Sequence, residues 1–126
     1  MNRLTTLRTL ALLVGLLAGA AGSAGALFHL RLEKSSPGKD ERMGASPREI
    51  RLWFSQKPEV RLSTITVANS DSVAVKLSKV RATDDPLSLA ADVTDSLAPG
   101  TYVVKWKTAG QDGHPIRGSY KFHIGK

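Results

Sequence analysis

An all-β domain, an antiparallel sandwich or Greek-key barrel of about seven short strands, is what the sequence predicts for residues 27–126. Three observations predict it. Apolar and polar residues alternate at period two in segment after segment, which turns one face of an extended chain toward a core. Turn formers such as Ser46-Pro47, Asp85-Pro86 and Pro99-Gly100 punctuate those segments at the spacing a sandwich needs. No stretch after residue 26 sustains a period of 3.6, so helix is expected as a single turn at most.

In chain order, the first strand is expected around Leu30 and Leu32. Ile50, Leu52 and Phe54 then alternate with Arg51, Trp53 and Ser55. This puts Trp53 on the face away from its apolar neighbours, as a rim residue or part of a loop contact. Ile65 and Val67 mark a third strand, and Val73, Val75 and Leu77 a fourth. Leu87, Leu89 and Ala91 follow the Asp84-Asp85-Pro86 turn. Tyr102, Val104 and Trp106 share one face of the next strand, with Tyr102 and Trp106 read as core. Tyr120, Phe122 and Ile124 close the domain, and His123 between them is read as an outward, solvated residue.

Residues 1–26 read as an export signal. Arg3 and Arg8 precede an uncharged run from Leu10 to Gly22, and Ala24 and Ala26 form the small-x-small pattern of a cleavage site. The competing reading is an uncleaved membrane anchor, since the uncharged stretch continues to Phe28. The division expected is therefore a signal peptide at 1–26 and one domain at 27–126. A chain of 126 residues has room for one modest core and not for two.

Lys and Arg number 18 against 11 Asp and Glu, a formal charge of +7, and +5 once Arg3 and Arg8 leave with the signal. The cations are dispersed along the sequence, with no arginine-rich run, so nucleic acid is not the expected partner. Cysteine is absent. That excludes disulfides, thiolate zinc sites, iron–sulfur clusters and the blue-copper ligand set.

Chemistry concentrates at two histidines. Asp112-Gly113-His114-Pro115 sets a carboxylate and an imidazole two positions apart, which in extended chain point the same way. By itself this is also an ordinary Asp-Gly hairpin turn. His29 falls three residues into the expected mature chain, where an imidazole and the new α-amine can act together. Two imidazoles, an amine and a carboxylate oxygen make a tetragonal nitrogen–oxygen set that suits Cu(II), while zinc accepts the same donors without needing that geometry.

The segment from Leu97 to Trp106 (LAPGTYVVKW), with Asp112-Gly113-His114-Pro115-Ile116-Arg117-Gly118-Ser119-Tyr120-Lys121-Phe122, resembles the C-terminal half of the CopC-type copper-resistance proteins. His29, Leu32, Ser36 and Pro37 resemble that family's mature start. Pro47, Leu52, Phe54, Ser55, Pro58 and Val60 resemble its next block. The resemblance covers nearly all of residues 29–124. It implies a periplasmic, immunoglobulin-like Greek-key sandwich holding one Cu(II) per chain through His29, Asp112 and His114. It also implies copper tolerance or delivery as the role, with a membrane copper transporter as a partner and a monomeric, non-enzymatic protein. Met43 is the one methionine beyond the initiator, so the chain resembles the Cu(II)-only members rather than those with a methionine-rich Cu(I) loop.

One departure stands out. Family members usually begin with the ligand histidine, whereas cleavage after Ala26 leaves Leu27-Phe28-His29. A third-position histidine can wrap Cu(II) with the amine and two deprotonated amides, without Asp112 or His114. Two other functions compete with the carrier. A copper-free immunoglobulin-like interaction module would fail to bind copper, and a histidine-brace oxidative enzyme would consume oxygen with ascorbate.

Overall fold

The computed structural model of the chain describes residues 29–125, so the signal expected at 1–26 lies outside the described residues. Eight strands follow in order: β1 Leu32–Ser36, β2 Arg42–Met43, β3 Glu49–Phe54, β4 Thr64–Asn69, β5 Arg81–Ala82, β6 Ser88–Asp92, β7 Gly100–Ala109 and β8 Pro115–Ile124. A 3₁₀ turn, Val60–Leu62, precedes β4. The strands form two four-stranded sheets, ordered β1-β3-β6-β5 and β2-β8-β7-β4. The named strand pairs are antiparallel except β2 with β8, which is parallel.

Period-two alternation explains the core. Ile50, Leu52 and Phe54 of β3 are buried, as are Ile65 and Val67 of β4 and Tyr120, Phe122 and Ile124 of β8. Tyr102, Val104 and Trp106 of β7 join them, so both aromatic residues of that strand are core as expected. Phe54 of one sheet meets Trp106 of the other edge-on, with ring centroids 5.4 Å apart, and this contact ties the two layers together. Tyr102 stacks on its cross-strand partner Phe122. The Tyr102 hydroxyl donates to the Ala98 carbonyl at 2.6 Å, the device by which a tyrosine pins the corner of a Greek-key sandwich. Gly118 lies opposite Trp106 in the register. A side-chain carbon at Gly118 would stand 2.5 Å from the indole Cζ2, so the ring occupies the space that glycine leaves.

Three details differ from expectation. Among the described residues there are eight strands where about seven were expected: β2 and β5, two-residue pieces too short to show alternation, are added and the strand expected at Val73–Leu77 is absent. Residues 73–78 are not a strand. Ala74 bridges to Ala68 of β4 and Leu77 bridges to Val93 just after β6, so the segment crosses from one sheet to the other and stays with neither. Trp53 is neither at the rim nor in a loop contact. It pairs with Ser88 on the outer face of β3, with Lys34 Nζ 4.7 Å and the Arg51 guanidinium carbon 5.2 Å from its ring.

Candidate metal centre

The turn between β7 and β8 carries the donor pair. The last rung of the ladder joins Ala109 to Pro115, and the Gly113 amide donates to the Gly110 carbonyl at 3.0 Å to close the turn. Gly113 has φ +77°, a left-handed value that glycine adopts without steric cost. Asp112 and His114 therefore converge through turn geometry, not through the i, i+2 rule of extended chain on which the sequence reading relied.

Within the turn, Asp112 Oδ2 accepts from His114 Nδ1–H at 2.9 Å, and Asp112 Oδ1 accepts the His114 backbone N–H at 3.2 Å. An ionised carboxylate only accepts, so the contact assigns a ring proton to Nδ1, and in the neutral ring Nε2 keeps its lone pair. Both side chains are open to solvent, Asp112 at 67% and His114 at 85%. The hydrogen bonds from the His114 side chain and backbone hold the Asp112 carboxyl below its ordinary range.

His29 is exposed, and Ser55 secures the backbone beside it. The Ser55 hydroxyl donates to the His29 carbonyl at 3.3 Å and accepts the Arg31 amide at 3.0 Å, while the Ser55 amide donates to the Arg31 carbonyl at 2.9 Å. The next residue, Leu30, is buried in the core. Its Cβ is 4.0 Å from where a side-chain carbon on Gly110 would sit, and Asp112 Oδ1 is 3.5 Å from that same point. This brings the start of the described chain to the β7–β8 turn. The structure joins Asp112 to His114, yet among the described residues no three His, Asp or Glu side chains are already gathered to hold a metal ion.

The remaining candidates lie elsewhere. His123 is half-buried on the outer face of β8, its Nδ1 2.9 Å from Thr101 Oγ1. Met43 packs against the core. Ser55 and Gly110 position the ends of this region, and the sequence offered no sign of either role. Ser55 acts through bonds to residues more than twenty positions away, and Gly110 leaves open the space beside Leu30, neither of which local spacing reveals.

A two-sheet β-sandwich with a carboxylate–imidazole pair exposed on its longest hairpin is the class that the fold and turn define. Within that class the particular family is shown: the CopC domain matches residues 32–125, and the chain belongs to the CopC family. It is 29% identical over 121 residues to Protein YobA of Escherichia coli strain K12, covering 95% of this chain and 98% of that one. It is similar to the crystal structure of CopC from Methylosinus trichosporium OB3b, with TM-score 0.71 and 32% identity over 77% of this chain and 94% of the other. It is likewise similar to PcoC, a methionine-rich copper resistance protein from Escherichia coli, with TM-score 0.69 and 33% identity over 76% of this chain and 98% of that one.

Proposed function

We propose that this chain is a copper-binding protein of the periplasm that carries or buffers copper in copper resistance, and that it is not an enzyme. Membership of the CopC family supports the copper role. The further reading is one Cu(II) per chain, held by His29, Asp112 and His114. The observation that carries it is the exposed Asp112–His114 pair, which sets a carboxylate oxygen and Nδ1 2.9 Å apart, so that a metal ion replacing the proton they share would take both as donors. Nitrogen and oxygen donors with no cysteine favour Cu(II) over Cu(I). The domain is proposed to span 27–126 after removal of 1–26. Among the described residues no helix is long and apolar enough to cross a membrane.

A second reading keeps copper at His29 alone, wrapped by the α-amine and two amides. The exposure of His29, with no ready-made three-ligand group around it, favours keeping this reading in view. Electron paramagnetic resonance of copper-loaded variants separates the two. If the three-residue site holds, His114→Ala changes the copper signal and weakens binding by at least about tenfold, and Asp112→Ala weakens it less. Phe28→Pro, which removes one amide, then has little effect. An unchanged signal in His114→Ala together with loss in Phe28→Pro assigns copper to the local wrap.

A further inference from the structure

Cations that are scattered along the sequence are not scattered over the molecule. The strands of the β1-β3-β6-β5 sheet carry Lys34, Arg51 and Arg81 against Glu33, Glu49 and Asp92. Their cations are engaged internally: Arg81 bonds Glu49 and Asp92, Arg51 bonds Asp84, and Lys34 lies over Trp53. The strands of the other sheet carry Arg42, Lys105, Lys107, Arg117 and Lys121, all exposed, and contain no Asp or Glu. Among the described residues none of these five makes an ion pair. The carboxylates that adjoin this sheet along the chain, Asp40, Glu41, Glu59, Asp71, Asp95 and Asp112, all belong to the connecting segments.

The arrangement also works against the fold. Lys107 stands directly opposite Arg117 in the β7–β8 register, and like charges facing across strands repel. Beside them is an open hollow of about 390 Å³, floored by Trp106 and Gly118 and rimmed by Lys105, Lys107, Arg117 and the hydroxyl residues Thr64, Thr66 and Ser119. The Thr66 hydroxyl donates to the Lys105 carbonyl, while the three cations and the hydroxyls of Thr64 and Ser119 around the hollow match the oxygens of a phosphate group.

We propose that this sheet face docks the protein on an anionic phospholipid surface, with a headgroup phosphate seated in the hollow. The cations run the length of β8, from Arg117 near the turn to Lys121, and on to Arg42 on the neighbouring strand. Such spacing suits a planar array of anions better than one compact ligand. Leu62, an exposed apolar residue, shares a second hollow with Arg61, Thr64 and Lys107, so a side chain able to dip into the interface is flanked by cations. The Lys107–Arg117 rung is two rungs from the last one before the Asp112–His114 turn, which docking would therefore place at the edge of the contact.

The test is cosedimentation of the metal-free exported protein, its first residue established by intact mass, with phosphatidylglycerol–phosphatidylcholine vesicles and with phosphatidylcholine vesicles. Retention is expected on the first only, and is lost at high salt. Each cation near such a surface contributes about fivefold, so charge reversal in Lys107→Glu, a change of two charges, weakens retention about twenty-fivefold. That variant now faces Arg117 with the opposite charge, so its melting temperature does not fall, which separates lost docking from lost folding. Lys34→Glu on the other sheet makes the same charge change and leaves retention within about twofold. Equal retention on both vesicle types overturns the proposal, as does full retention of Lys107→Glu. Capture by immobilised polyglutamate with none by anionic vesicles overturns it too, assigning the face to an acidic protein.

Discussion

Tyr120 is the residue whose chemistry the fold alters most plainly. Its ring is buried in the core, and burial pushes its phenol up to about 12. The Ser35 hydroxyl works against that shift and the charge of Glu41 adds to it. Because the folded value lies above the unfolded value of about 10, the neutral phenol's contribution is complete below about pH 10 and lost as pH rises through about 12. Tyr120→Phe keeps the ring and removes the ionisation. The native protein should therefore lose stability relative to Tyr120→Phe between about pH 10 and 12, read as urea midpoints, and the gap should be constant below pH 10. A gap that does not change across that interval rejects the assignment. At this scale the sequence disclosed donor types but not their geometry. Asp112 and His114 were legible as a spacing, whereas their mutual hydrogen bond depends on the left-handed Gly113. The approach of the chain start to the turn depends on Leu30 lying over the space that Gly110 leaves free, between residues eighty positions apart.

Among the elements, the β7–β8 hairpin is the most constrained. Replacing Gly118 by alanine forces a methyl group against the Trp106 ring, where neighbouring core residues limit how far the indole can move. Overpacking of this kind costs about 1–3 kcal/mol. Gly118→Ala should lower the unfolding free energy by that amount, measured by denaturant titration with Trp106 fluorescence, and a change below about 0.5 kcal/mol would show that the ring relaxes freely. Long strands buried on one face announced themselves by alternation, as β3, β7 and β8 did. Residues 73–78 alternate equally well but serve two sheets in turn, with the Val75 amide donating to Val67 and the Ser78 amide to Asp92. Alternation reports which side chains are apolar and is silent on which partner the backbone takes. β2 and β5 have only two residues each, and nothing in so short a stretch separates a strand from a turn.

For the whole molecule, the all-β class was readable because alternation is local, while the assignment of strands to sheets was not, because it depends on pairings across the chain. The same limit hid the charge asymmetry of the two sheet faces. The sheet order β2-β8-β7-β4 also has a consequence in time. The first-made strands β1, β3, β5 and β6 find one another by residue 92, but β2 and β4 must wait for partners that lie at residues 100–124. Until those residues arrive, the apolar face of the first sheet has no second layer to cover it. A chain crossing a membrane in extended form from its N-terminus would thus stay open until its end emerged, and then close both layers at once. A chain ended at Thr108 should accordingly unfold without a cooperative transition and be cut rapidly by protease, whereas protection of residues 49–92 in that fragment would show that the first sheet stands alone.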